Sequence, residues 1–139
     1  MLKGIPKEIG PELLRLLAEM GHGDELAIVD ANYPAYAAGP PVVYAGGVGA
    51  PEILAAILKL FPLDTFTEAN VFPMQGDDGR PEIQDDFERV LASSGEDARI
   101  RPIDRFAFYE RARSARAIVA TGEGRPYGCV LIKKGVIFF

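Results

Sequence analysis

Apolar residues recur along the chain in two alternating patterns, and their spacing predicts helices and strands in turn. Residues 11–20 place leucine and methionine at helical spacing with charges opposite, which is typical of an amphipathic helix. Residues 26–29 are wholly apolar, as expected of a short strand covered on both faces. The same two patterns predict further helices at 51–60, 82–92 and 105–113, and further strands at 42–44, 66–74, 99–103, 117–121 and 130–133.

Elements that alternate in this way predict a layered α/β fold, with a central, largely parallel or mixed sheet flanked by helices. Pro73 limits the strand at 66–74 to a sheet edge or a strand end. Residues 75–81 are polar and glycine-rich, which predicts an exposed loop. No repeat or long linker divides the 139 residues, so we expect a single domain over 1–139.

The composition indicates a globular protein that handles neither nucleic acid nor membrane. Apolar residues make up 48% of the chain and charged residues 25%. The net charge of −5 disfavours binding to phosphate backbones. No apolar run approaches the ~20 residues of a membrane span, and the N-terminal residues lack the apolar segment of a signal peptide. Because Cys129 is the sole cysteine, we expect no intrachain disulfide and a cytoplasmic location.

The single histidine of the chain, His22, lies between Gly21 and Gly23, directly after the first predicted helix. Imidazole is the side chain best suited to moving protons near neutral pH, and the flanking glycines leave it open to a small molecule. The alternative is a structural role, in which the ring caps the last carbonyls of the helix.

Asp30 closes the apolar run 26–29, at the kind of position where ligands of α/β proteins gather. The alternative is that Asp30 only begins the turn that leads to Pro34. If residues 26–30 are extended, His22 and Asp30 tend toward opposite ends of one strand. They can share a site only if the His22 loop folds back, or if a neighbouring subunit supplies one of them.

Two later segments carry further candidates. Arg105 is a possible anchor for a hydroxylated or anionic ligand, although the aromatic residues after it could simply pack a core. Tyr127 follows a turn and precedes a strand, where its hydroxyl could bind a sugar, assist proton transfer, or be buried and structural. Cys129 fits a small strand residue better than a nucleophile.

Signals of cofactor or metal chemistry are missing from the sequence. There is no phosphate-binding P-loop, and the glycines at 46–49 lack the spacing of a dinucleotide fingerprint. One histidine and one cysteine make a zinc site improbable. We therefore expect no cofactor and no metal.

Five segments, in order along the chain, match one known family: 11–14, 17–25, 30–34, 105–112, and 127–128 leading into 131–135. Through these segments the chain resembles the sugar mutarotases of the ribose pyranase and fucose mutarotase group, and most closely the L-fucose branch. The Arg105 segment favours that branch, because the ribose branch typically carries histidine there. One departure is Cys129, where the fucose branch often has asparagine, a stronger hydrogen-bonding side chain than a thiol.

The resemblance implies a cofactor-free enzyme that interconverts sugar anomers, most simply those of L-fucose. It implies that His22 is the proton donor, and that Asp30, Arg105 and residues 127–129 (Tyr127, Gly128 and Cys129) contact the sugar. From the chemistry of ring opening we add the hypothesis that Tyr127 assists the proton transfer. It also implies a ring-shaped homo-oligomer, commonly a decamer, with sites near subunit boundaries. Two alternatives remain open: a ribose-type pyranase that converts pyranose and furanose forms, and a carbohydrate-binding protein without catalysis.

Overall fold

The computed structural model describes all 139 residues and is built around one five-stranded sheet. Its order is β2-β4-β1-β5-β3. β1 and β2 pair parallel with β4, whereas β5 pairs antiparallel with both β1 and β3, so the sheet is mixed. The predicted α/β fold is confirmed. The elements are α1 (Pro11–Glu19), β1 (Glu25–Val29), β2 (Val42–Ala45), α2 (Ala50–Leu58), β3 (Val71–Pro73), α3 (Ile83–Ser93), α4 (Arg105–Ala112), β4 (Ala117–Thr121) and β5 (Val130–Lys133).

Both faces of the sheet are covered, and each face has its own apolar core. The larger core packs α1, α2 and α3 against one face, with Leu16, Ile57 and Phe87 buried between them. The smaller core packs α4 against the other face through Phe108 and Ala112. Because β1 and β4 are central and covered on both sides, their sequences are continuous apolar runs rather than alternating ones. None of the four helices has the length and apolar character that a membrane span requires.

The strand predicted over 66–74 is wrong for its first five residues, since β3 spans only Val71–Pro73. The chain before β3 bends around the carboxylate of Asp64, which accepts hydrogen bonds from the Phe66 N–H (3.1 Å) and the Thr67 hydroxyl (2.9 Å). An aspartate that binds nearby backbone in this way competes with strand pairing.

The strand predicted at 99–103 is also wrong. This segment runs beside β3 and its flanking residues, but it forms only single bridges through Ile100 and Ile103. Pro73 of β3 lies between these bridges and has no N–H to donate to the carbonyl oxygen of Arg101, so a continuous ladder cannot form. The segment nevertheless leads directly to Asp104, whose side chain accepts a hydrogen bond from the Ala107 N–H (2.9 Å) and starts α4 at Arg105.

Candidate active site

The strand ends divide the candidate residues between two opposite edges of the sheet. Asp30 directly follows β1, and residues 127–129 directly precede β5, which runs the opposite way. These segments therefore meet at one edge. His22 precedes β1 and lies at the other edge. The five residues of β1, at about 3.3 Å each, place roughly 16 Å between the two edges.

A cleft of about 380 Å³ opens at the edge that carries Asp30. Its volume lies within the range of small-molecule sites, and polar side chains are concentrated in its wall. The sequence candidates Asp30, Arg105, Tyr127 and Cys129 all line it. Of the five predicted sugar contacts, Gly128 alone does not line the cleft directly, but its N–H binds Asp30.

The carboxylate of Asp30 is held by three donors from two segments. Oδ1 accepts the N–H of Asn32 (3.0 Å), and Oδ2 accepts the N–H of Gly128 (3.2 Å) and the thiol of Cys129 (3.4 Å). A carboxylate has about four acceptor positions, so capacity remains for a ligand hydroxyl. Asp30 is thus a fixed acceptor in the cleft, and not merely the start of a turn.

Tyr127 stands in the cleft wall on a strained backbone. Its φ of +57° lies in the left-handed region, and it is the only non-glycine residue with a positive φ. That conformation costs about 1–2 kcal/mol. Gly128 follows because a side chain would not fit: an added Cβ would lie 2.7 Å from Cγ of Glu123 and 3.1 Å from the carbonyl oxygen of Arg125. Strain of this kind concentrates where a side chain must be aimed.

Arg105 supplies the positive charge of the cleft. A hydrogen bond with Tyr109 and the charge of Asp77 raise the pKa of its guanidinium above the usual value, so the group stays cationic. The Nε atom lies 3.3 Å from Oδ2 of Asp77. It is nevertheless buried without a hydrogen-bond partner, because this ion pair is not aligned as a hydrogen bond. Arg105 therefore retains donors for a ligand.

Two other groups in the cleft stay protonated. Burial raises the pKa of Tyr33 to about 12, helped by the neighbouring Cys129 and Tyr109. Burial, and then the charge of Asp30, raise the pKa of the Cys129 thiol well above its usual value. The thiol is fully buried and points its hydrogen at Asp30. It is a neutral structural donor, as the sequence favoured, rather than a nucleophile.

His22 is paired with a carboxylate at the opposite edge. Its Nε2 lies 2.9 Å from Oδ1 of Asp64, a side chain that is only 1% exposed. Burial alone would raise the pKa of Asp64, but hydrogen bonds from His22, Phe66 and Thr67 outweigh it and hold the pKa below its usual value. Asp64 is therefore an anion that accepts from Nε2. The ring is 47% exposed, so its other nitrogen, Nδ1, is left to meet a partner outside the pair.

Within one chain, the structure brings together Asp30, Arg105 and residues 127–129, but not His22. The His22 loop does not fold back to the cleft: its Gly23 N–H donates to the carbonyl oxygen of Lys134 (2.9 Å), which follows β5 at the far edge. Of the two arrangements that the sequence left open, the intrachain one is absent. The other, in which a neighbouring copy supplies His22, remains a prediction.

Sequence reasoning missed Asp64, Tyr33 and Tyr109. Asp64 and His22 are 42 residues apart, and no local pattern connects them. The two tyrosines are part of segments that the family resemblance covers, but their spacing alone is equally typical of core packing. No group of three or more His, Cys, Asp or Glu side chains is arranged to hold a metal ion.

Comparison with known proteins gives one family over nearly the whole chain. The model of the RbsD / FucU transport protein family matches residues 3–137, a span that includes both the cleft and the His22 edge. The chain belongs to this family. The resemblance seen in the sequence is therefore confirmed, and it extends beyond the segments that first indicated it.

Members of the family with similar sequences have been named for fucose. The chain is 50% identical to fucose mutarotase of Danio rerio, over 99% of this chain and 95% of that protein. It is 46% identical to L-fucose mutarotase of Histophilus somni, over 98% and 97% of the two chains. The solved structure of fucose mutarotase from Streptococcus pneumoniae in complex with L-fucose matches with a TM-score of 0.93, 41% identity and coverage of 99% and 100%.

Proposed function

We propose that this protein is a cofactor-free mutarotase, an isomerase that interconverts the α and β anomers of L-fucose. The observation that carries the proposal is the cleft, which places an anchored carboxylate, a cation with unused donors and a strained tyrosine around a space of about 380 Å³. Relatives that are 46–50% identical over nearly their full length are named fucose mutarotases, which supports the choice of sugar.

The proposed reaction opens and closes a cyclic hemiacetal. A base removes the proton of the anomeric hydroxyl while an acid protonates the ring oxygen, and the bond between C1 and that oxygen breaks. The open aldehyde rotates about its C1–C2 bond and closes on its other face, which returns both protons. Proton transfer of this kind contributes about 100- to 10,000-fold in rate, and the uncatalysed reaction already proceeds slowly in water.

We assign the roles in the cleft by chemistry. Asp30 accepts sugar hydroxyls, and Arg105 donates to sugar oxygens through its unpaired nitrogens. Tyr127, aimed by its backbone, assists proton transfer. Gly128 and Cys129 keep Asp30 in place. This differs from a direct sugar contact for Cys129, whose hydrogen is already committed to Asp30.

The proton donor, His22, comes in this proposal from a neighbouring copy of the chain. Three features support it: the separation of the two edges, the exposure of the ring, and the apolar surface around it. Phe66 contacts both His22 and Phe138 with ring centroids 5.1 and 6.3 Å apart, and Phe66 and Phe138 are 64% and 75% exposed. Exposed aromatic surface of this kind marks an interface, and the apolar segment 136–139 would pack there.

We extend the proposal to a closed homo-oligomeric ring of decamer size that works in the cytoplasm. In a closed ring, the His22 edge of each copy packs against the cleft of one neighbour, and the His22 edge of the other neighbour packs against its own cleft. Every site is then complete. The family resemblance supports the ring and its size, and the single cysteine supports a reducing compartment.

Exchange NMR with L-fucose tests the function directly. Saturation transfer between the α and β anomeric protons should reveal faster exchange in the presence of the protein. D-ribose in the same assay separates a ribose-type pyranase. Saturable binding of L-fucose without faster exchange would instead identify a carbohydrate-binding protein and overturn the proposal.

A further inference from the structure

We infer that Glu123 is a positioning residue, which holds the loop that carries Tyr127 and Gly128 against the strand end that carries Asp30. The inference rests on the proposed function. It concerns a carboxylate that lines no part of the cleft and makes no contact with the space a sugar would occupy.

Glu123 joins the two sides of the cleft through different parts of the same residue. Its backbone carbonyl accepts the N–H of Ala31 (2.8 Å), the residue that follows Asp30. Its side chain, 9% exposed, lies under the loop that ends at Gly128. The backbone contact fixes one wall of the cleft, and the side chain fixes the other.

The side-chain contact is a clamp on Arg125. Oε2 accepts both the backbone N–H and the Nε of Arg125 (3.1 Å each), and Oε1 accepts Nη2 (3.2 Å). Arg125 in turn donates to Asp86 on α3, which ties the loop to that helix. Two residues later comes Tyr127, whose left-handed backbone needs surrounding structure to hold it in place.

Packing adds a second constraint from the same side chain. A Cβ added at Gly128 would lie only 2.7 Å from the Cγ of Glu123, so the backbone of Gly128 packs directly on this side chain. The N–H of Gly128 is one of the donors to Asp30. A shift of Glu123 would therefore move both Tyr127 and the Gly128 N–H that helps to hold Asp30.

The charge of Glu123 matters to this arrangement as well as its shape. Burial would raise the pKa of the carboxylate, but hydrogen bonds from Arg125 and from the N–H of Ala50 outweigh it and keep the pKa below its usual value. Arg125 and the N–H of Ala50 both donate hydrogen bonds to the Glu123 carboxylate. An amide would have to point its own NH₂ group at one of them, which leaves that contact repulsive.

The test compares Glu123→Gln with a matched control, Glu88→Gln, whose carboxylate also binds an arginine, Arg80, but on the exposed face of α3. We expect kcat for L-fucose anomer exchange in Glu123→Gln to fall about ten- to one-hundredfold, because the aim of Tyr127 is lost. KM should stay within about threefold, because Asp30 keeps its donors from Asn32 and Cys129 and Arg105 is untouched. The control should match the parent protein in both constants.

A second variant keeps the test decisive if Glu123→Gln does not fold. Arg125→Gln removes the clamp from a side chain that is 41% exposed, so it should fold. Its kcat should fall by a similar factor. If the double variant Glu123→Gln/Arg125→Gln folds, its kcat should be no lower than that of the more impaired single variant. A kcat equal to that of the parent in the variants that fold would overturn the inference. So would a double variant whose loss in kcat equals the product of the two single losses, because the two residues would then act independently. A parent protein that does not accelerate exchange would instead refute the proposed function.

Discussion

Replacing Asp64 with asparagine isolates the contribution of charge to the His22 pair. Oδ1 accepts from His22 and from the Phe66 N–H, so the amide oxygen fits there. The amide nitrogen then faces the Thr67 hydroxyl, which can accept it while donating to the carbonyl oxygen of Ala69 (2.9 Å). All hydrogen bonds survive in this arrangement, and the ring keeps its proton on Nε2. Only the negative charge is lost.

The size of the effect follows from that difference. A hydrogen bond to a charged group contributes about 1.5–3 kcal/mol and a neutral one about 0.5–1.5 kcal/mol. Asp64→Asn should therefore weaken the stabilisation of the proton-carrying His22 ring by about 1–1.5 kcal/mol. At 1.36 kcal/mol per decade of rate, anomer exchange should slow by about tenfold. Alanine would be a poorer probe, because it leaves the Phe66 N–H without its partner and empties a buried position.

The assay is saturation-transfer NMR on L-fucose, with the thermal midpoint measured on the same samples. Asp85→Asn serves as the control, because it makes the same charge change on an exposed side chain of α3. Asp64→Asn that is folded and exchanges anomers at the parent rate would refute the reasoning. A slower rate in the Asp85 control would show that net charge, rather than the His22 pair, is responsible.

Three further results are expected. Folding lowers the pKa of Asp64 from its ordinary value of 3.8, so the ionised carboxylate stabilises the folded protein at any pH above 3.8. This stabilisation is lost as the pH falls through the lower pKa of the folded state. In urea unfolding, the parent should therefore be more stable than Asp64→Asn at pH 7, and this difference should shrink below pH 4. Gly128→Ala should destabilise the fold by about 1–3 kcal/mol, since its Cβ would overlap Glu123, and should raise KM for L-fucose; unchanged KM would contradict the assigned loop geometry. Arg105→Lys should weaken L-fucose binding by about tenfold in calorimetry, because a point charge cannot replace a planar set of donors; parent-level affinity would remove Arg105 from the site.

The sequence predicts the fold well where burial alone determines structure. The apolar run at 26–29 and the strands at 117–121 and 130–133 are buried on both faces, so composition alone marks them. It fails at 66–70, where the carboxylate of Asp64 redirects the backbone. It fails again at 99–103, where proline interrupts pairing. In both places a specific contact or a missing donor overrides the apolar pattern.

The candidate site is predictable to a similar extent and for a related reason. Asp30 and residues 127–129 flank strands that the pattern already identifies, but their meeting at one edge depends on the antiparallel pairing of β1 with β5, which the apolar pattern does not specify. The pairing of His22 with Asp64 joins residues from distant parts of the chain. The role of Glu123 depends on the path of a loop after β4. Neither the His22–Asp64 pairing nor the role of Glu123 is marked in the sequence by a hydrophobic periodicity or by a motif, so neither could be predicted.

The central claim is that two copies of the chain complete each site, and complementation between inactive variants tests it most directly. His22→Ala keeps the cleft intact, whereas Asp30→Asn keeps His22 intact. Each alone should be inactive in the exchange assay. Co-expressed with different tags and purified as mixed assemblies, they should recover about one quarter of the parent rate, the share of sites that pair an intact cleft with an intact neighbouring His22 in a random ring. Mixed assemblies no more active than the separate variants would contradict the account.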